Sequence, residues 1–187
     1  MSAWSPKHAI LPAITLSACL LFLIFRVAFV SAPKPNKTDD ATSLVEEFQI
    51  TGINAQFPPS IQKWEREICI AARKNDLDPN LIAAVIHQES GGQPSIISSS
   101  GAVGVMQIMP HDGKASTFLC INGPCFQDRP STEELKDPMF NIAYGGNLLA
   151  NLIARQGSLR SALRSYGPMD VGFSYADKVL SIYQTYQ

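Results

Sequence analysis

The chain lacks a surplus of either charge. Lys and Arg together number 15 against 16 Asp and Glu, a net charge of -1 with a pI near 6.3. Phosphate backbones demand a clear positive excess, so nucleic acid is excluded as the main partner. Charge is also sparse, at 17% of residues against 45% hydrophobic, which excludes a chain disordered throughout. Internal repeats and low-complexity tracts are missing as well. A length of 187 residues then accommodates one compact, core-forming domain and an appendage.

The appendage is N-terminal. From Ala9 to Val30 the only charge is Arg26, and the run holds Leu16, Leu20, Leu21, Phe22, Leu23, Ile24 and Phe25. About 20 apolar residues suffice to cross a bilayer as a helix. Arg26 lies near one end, where it can snorkel toward the headgroups. Residues 1–32 are therefore expected to be a transmembrane signal anchor. Val30-Ser31-Ala32 leaves cleavage as a secretory signal open, although Pro33 hinders it, and Leu16-Ser17-Ala18-Cys19 leaves a lipid anchor open. All three export the remainder, so a single-pass membrane protein with its domain outside the cytoplasm is expected. Residues 33–59, opening Pro33-Lys34-Pro35 and closing Pro58-Pro59, read as an extracytoplasmic linker. Without residues 1–32 the chain loses Lys7 and Arg26 and no acid, taking the net charge from -1 to -3.

Residues 60–187 carry helical signals. Ser60 can cap a helix reaching about Lys74, with Ile61, Trp64, Ile68 and Ala72 on one face. Asp78-Pro79 and Asp137-Pro138 are each a capping residue followed by proline at the first helical position. The helices they open should stop at Ser90-Gly91-Gly92 and at Gly157. A short helix should then run from Ser158 to Tyr166, and a last one from about Phe173 to Tyr186. Between Gln93 and Phe126 the periodicity dissolves into Ser- and Gly-rich loops with room for a small hairpin. The expectation is a mostly α domain with one irregular insert.

Glu89 is the most informative residue. It shares a helical face with Ile82, Val85 and Ile86, and it sits in the last turn, where the helix dipole disfavours another anion. Both effects push its pKa upward and keep a proton available near neutral pH, as a general acid requires. A glutamate turned out to solvent at a frayed helix end is the plain alternative.

The residues downstream of Glu89 shift the balance. Glu89-Ser90-Gly91 is succeeded by Ser98, Gly101-Ala102-Val103-Gly104, Val105-Met106-Gln107 and Met109-Pro110. Asp137-Pro138, Asn141-Ile142, Gly145, Tyr166 and the Tyr175/Val179 pair come later at suitable separations. From about Ile61 to Tyr183 this order resembles the soluble lytic transglycosylase family, whose catalytic domain has a lysozyme-like fold. The resemblance implies cleavage of the β-1,4 bond between N-acetylmuramic acid and N-acetylglucosamine, leaving 1,6-anhydromuramoyl ends. It makes Glu89 the catalytic acid and then base, and places Ser98, Met106, Gln107 and Tyr166 against substrate, with Tyr166 orienting Glu89. It implies no metal or organic cofactor, and peptidoglycan strands as partner, with cell-envelope machinery open as a further one. Gly101 and Gly104 would let backbone approach a glycan closely.

Asp112, Asp128, Asp137, Asp170 and Asp177 offer no motif-bound second carboxylate, which favours the transglycosylase route over two-carboxylate hydrolysis. A hydrolytic muramidase on the same fold and a non-catalytic glycan-binding module remain alternatives. The family's Ala-Tyr-Asn is here Ser165-Tyr166-Gly167, so the wall around Tyr166 departs from the pattern. Cys120 and Cys125 flank the turn-forming Ile121-Asn122-Gly123-Pro124 and are expected to form a disulfide in an exported domain. A zinc site with His87 or His111 fits no common ligand spacing. Cys69 reads as a buried free thiol.

Overall fold

The computed structural model describes residues 52–187. The expected anchor, residues 1–32, and most of the linker lie outside the described residues. Among those described, no helix is long and apolar enough to cross a membrane.

The described residues form seven α-helices and one minimal hairpin: α1 (Pro59–Gln62), α2 (Glu65–Asn75), α3 (Pro79–Ser90), β1 (Leu119–Cys120), β2 (Gly123–Pro124), α4 (Thr132–Leu135), α5 (Pro138–Gln156), α6 (Leu159–Tyr166) and α7 (Ser174–Thr185). This is the mostly helical, lysozyme-like domain with a small β-hairpin that the resemblance implies. The strands pair antiparallel, Leu119 with Pro124 and Cys120 with Gly123.

The capping residues act as their chemistry predicts. Asp78 accepts the Asn80 N–H at the start of α3, Asp137 accepts those of Met139 and Phe140 at α5, and Ser158 accepts that of Ser161 at α6. Each such cap contributes about 1 kcal/mol. Helix α3 is buried on every side from Leu81 to Ile86 and forms the centre of the core. Helices α2 and α7 pack on it, and α5 bridges α2 and α6. Ile61, Ile68, Ile82, Ile86, Met106, Ile142, Leu149 and Leu163 are fully buried, each large aliphatic contributing about 2 kcal/mol of transfer free energy.

Four details differ from the sequence expectation. The first helix is split, because Trp64 leaves helical geometry (φ -101°, ψ 7°) and its indole N–H donates to the Gly92 carbonyl across 2.9 Å. Its start lies at Pro59 rather than at a Ser60 cap, proline again taking the first helical position. The described residues at the end of the expected linker pack on the domain. Ile53 and Phe57 are buried in the core, the Phe57 ring stacks on Tyr186, and the Asn54 N–H donates to the Asn80 side chain. Two apolar side chains among polar neighbours make too short a pattern to register as periodic. Helix α4, fixed by a capping box between Ser131 and Glu134, is likewise too short to stand out.

Candidate active site

The site is assembled where α3 ends. Gly91 takes the left-handed conformation that closes the helix (φ 59°), and the last turn presents Glu89, half-buried. From α7, which packs against α3, the Tyr175 hydroxyl donates to Glu89 Oε1 across 2.5 Å. Burial pushes the Glu89 carboxyl up to about 7, and the Tyr175 hydrogen bond pulls partly the other way. Neither influence is a second carboxylate. Burial and the Glu89 charge hold the Tyr175 hydroxyl well above the ordinary phenol range, so it stays a donor.

The loop after α3 is fastened to this helix end by buried polar groups. Ser90 Oγ donates to the Val105 carbonyl (2.7 Å) and accepts the Gly92 N–H (3.0 Å). Asn141, fully buried on α5, accepts the Met106 N–H and donates to the carbonyls of Val103 and Leu135. Gly104 must be glycine twice over. Its φ is 81°, and a Cβ there would stand 2.3 Å from Asn141 Nδ2. Gly101 and Gly104 are both buried, so their openness serves chain packing and not, as expected, the approach of a glycan.

The expected site residues separate into groups. Glu89 lies half-buried in the last turn of α3, with its carboxyl on the Tyr175 hydroxyl. Tyr166 does not orient it: its hydroxyl donates to the Met106 carbonyl (2.9 Å), and its ring stacks near-parallel to Tyr175 with centroids 6.4 Å apart. The orienting hydroxyl belongs to Tyr175, which the sequence offers only as one of the motif positions, without a role at the site. Met106 cannot line a subsite with its side chain, which is fully buried and packed against Gly145, where a Cβ would lie 2.5 Å from the sulfur. A long flexible side chain facing that glycine is absorbed by the core.

Ser98 and Gln107 are half-buried on the same loop. Ser98 Oγ accepts the Ala102 N–H at 3.0 Å and closes a tight turn, which leaves its O–H free to donate. Gln107 holds the left-handed backbone conformation (φ 48°), which costs a non-glycine residue about 1 kcal/mol. Its Nε2 donates to the carbonyls of Ile96 and Gly104, so its carboxamide oxygen is the group left to meet a ligand.

Other carboxylates have other employment. Asp112 accepts from the Thr132 backbone and hydroxyl, Asp137 caps α5, and Asp177 forms a two-point pair with Arg160 (2.7 and 2.9 Å). Asp128 and Asp170 are exposed. Cys120 and Cys125 are joined as a disulfide across the hairpin, and Cys69 is a buried free thiol. Among the described residues no three His, Cys, Asp or Glu side chains are grouped to hold a metal.

What this arrangement can do chemically is donate one proton from a sheltered carboxyl and take one back. The transglycosylase SLT domain model matches residues 67–174. An endo-type membrane-bound lytic murein transglycosylase A of Klebsiella pneumoniae is 41% identical over 76 residues, 41% of this chain and 36% of that protein. A membrane-bound lytic murein transglycosylase E of Buchnera aphidicola is 36% identical over 93 residues, 50% of this chain and 41% of its own. The transglycosylase of Enterobacteria phage PRD1 is 34% identical over 107 residues, 57% of this chain and 35% of its own. The chain thus spans well under half the length of these curated relatives. Among solved structures, an inactive Glu-to-Gln mutant of the lytic transglycosylase Slt of Pseudomonas aeruginosa superposes with a TM-score of 0.50 at 22% identity. That superposition covers 65% of this chain and 23% of the other, and it speaks for the fold alone.

Proposed function

This chain belongs to the transglycosylase SLT domain family, and on that premise we propose that it is a peptidoglycan lytic transglycosylase. The observation that carries the reading is Glu89, a sheltered carboxyl held near pKa 7 by burial and aimed by the Tyr175 hydroxyl. Near neutral pH a large fraction keeps its proton. It donates that proton to the oxygen between N-acetylmuramic acid and N-acetylglucosamine as the bond from carbon-1 to that oxygen breaks. The substrate's own acetamide stabilises the cationic centre. The Glu89 carboxylate then takes the proton of the muramoyl carbon-6 hydroxyl, whose oxygen bonds to carbon-1. Glu89 ends protonated as it began, so the cycle closes on substrate atoms and one carboxyl.

The engagement of Asp112, Asp137 and Asp177 with other partners supports ring closure over hydrolysis, because a two-carboxylate hydrolase needs its second acid across the bond. Gln107 and Ser98 would meet N-acetyl and hydroxyl groups through the free carboxamide oxygen and the free O–H. Tyr166 would form wall and floor beside Tyr175 and hold the Met106 carbonyl in place. Membrane attachment through residues 1–32, with the domain outside the cytoplasm, is supported by the apolar run and by relatives named as membrane-bound.

The test is incubation of purified peptidoglycan with the wild-type chain and with Glu89→Gln, followed by mass spectrometry of released muropeptides. Products one water lighter than hydrolysed ones, absent with the variant, are expected. Hydrated reducing ends would replace this reading with a muramidase. Wall binding with no product would leave a glycan-binding module.

A further inference from the structure

A cavity of about 330 Å³ lies between α5 and the segment leaving the hairpin, Cys125 to Arg129. On α5 its lining positions are 144, 147, 148, 151, 152 and 155, steps of three and four that make one stripe of a helix. From Tyr144 to Arg155, at a 1.5 Å rise, this stripe runs about 16 Å. The floor is apolar, with the Tyr144 and Leu148 side chains packed on the core. The polar groups are two guanidiniums, an amide ladder and one acid.

The guanidiniums are the informative part. Arg129 is half-buried, with its guanidinium over the Phe126 ring at 5.5 Å, and its carbonyl is held by His111 Nδ1 at 2.7 Å. Among the described residues neither Arg129 nor Arg155 forms an ion pair, whereas Arg160 and Lys136 both find carboxylates. Asn151 donates to Asn147, which donates to Asn75, so the amides along the trough are fixed in place. The trough lies beside the loop that carries Gln107: Gly145, next to Tyr144 on α5, packs against Met106, and His111, which holds the Arg129 carbonyl, follows Gln107 in that loop.

A glycan strand offers such a trough little. Its hydroxyl and acetamide groups are neutral, and the lactyl carboxyl of the muramoyl ring is consumed as an amide where a peptide is attached. Charge in peptidoglycan resides on that peptide, which carries free carboxylates and an amine. Four extended residues at about 3.5 Å each span about 14 Å, close to the length of the stripe. Guanidinium forks match carboxylates in two-point geometry, and one seated on an aromatic face is partly desolvated and pre-oriented.

Resting on the glycan-cleaving reading above, we infer that this trough binds the acidic peptide stem of the substrate, with Arg129 and Arg155 taking its carboxylates and Asp128 its amine. Glycan cleavage would then favour strands that still carry their stems. Recognition would sit mainly on Arg129, because Arg155 is exposed and screened.

The test uses the full chain, the double variant Arg129→Gln/Arg155→Gln, and a control of equal charge change, Arg66→Gln/Lys74→Gln, on the exposed side of α2. Isolated stem tetrapeptide (L-Ala, D-Glu, diaminopimelate, D-Ala) is titrated by calorimetry, with the side-chain amide signals of Asn147 and Asn151 followed by NMR. Wild type and control should bind alike, and the double variant at least tenfold more weakly. Equal affinity of wild type and double variant, or no binding to wild type, overturns the proposal. Cleavage rates are then compared on stem-bearing strands and on strands stripped by an amidase. The double variant should lose at least fivefold more kcat/KM on the stem-bearing strands, and equal losses overturn the proposal as well. A wild-type chain inert on both strands would sink the glycan-cleaving reading instead, while the peptide titration still decides the trough.

Discussion

Gly167 lies flat against the ring of Tyr175: a Cβ at Gly167 would stand 2.4 Å from two of its ring carbons. The backbone of Gly167 is ordinary extended chain (φ -77°, ψ -174°), so glycine is required by space and not by conformation. Of the two positions that depart from the family's Ala-Tyr-Asn pattern, Ser165 and Gly167, the second is therefore the one that leaves room for the Tyr175 ring. Gly167→Ala should displace the ring and lower kcat by about tenfold or more, since displacements near 1 Å commonly cost that much. Muropeptide release measured beside the melting temperature checks this. Full activity in a folded variant would show that Tyr175 has slack.

Tyr175→Phe removes the hydrogen bond that holds the Glu89 pKa down, and burial is left unopposed. Activity depends on protonated Glu89 and should fall as pH rises through about 7 in the wild type. In the variant that fall should move to higher pH, with a lower maximum because the carboxyl is no longer aimed. A pH–rate profile from about 5 to about 9 reads both effects. A limb that stays in place would assign it to another group.

The same carboxyl makes the fold weaker in base. Its pKa rises from 4.5 to about 7 on folding, so between those values the folded state binds the proton and the unfolded state does not. Stability should decline as pH climbs through that window, by a limit on the order of 3 kcal/mol. Glu89→Gln, which cannot ionise, should match the wild type near about pH 4 and exceed it near about pH 8. Urea unfolding of both proteins at the two pH values measures the difference.

Asn141→Ala should be among the costlier single substitutions in the core. It strips partners from the Met106 N–H and from the carbonyls of Val103 and Leu135 in a site with no solvent access. Unmet buried polar groups cost about 1–3 kcal/mol each, partly relieved by relaxation, so a loss of about 3 kcal/mol is expected. Chemical denaturation checks the size, and Asn141→Asp, which keeps only the acceptor, should fare no better.

Opening the Cys120–Cys125 disulfide should matter far less to the core. The closed loop is short and the hairpin exposed, with Leu119 and Ile121 in solvent, so the loss should stay near or below about 2 kcal/mol. Thermal unfolding of the double serine variant against wild type gives the number.

Much of the fold is legible in the chain. Asp78-Pro79 and Asp137-Pro138 mark two helix starts because a capping carboxylate and a proline are both local devices. Glu89 is legible because its place on an apolar face and in a last turn follows from spacing alone. The cysteine pair can be read from the short turn Ile121-Asn122-Gly123-Pro124 between them. Short elements escape: α4 and the buried Ile53 and Phe57 are too brief to show a period. Met106 and the loop glycines read outward, toward ligand, because nothing local shows that Gly145 and Asn141 wait on α5 to receive them.

Local sequence is enough to say where most of the longer helices begin and end, which carboxyl is sheltered, and which family the order of motifs resembles. These are properties of neighbours, set by periodicity, capping and turn chemistry. Which tyrosine aims that carboxyl is a matter of long-range packing. Glu89 and Tyr175 are 86 positions apart, and sequence alone pointed to Tyr166 until α7 packed on α3. The contact depends on helix packing and on the missing Cβ of Gly167, and packing between distant segments leaves no mark on local sequence.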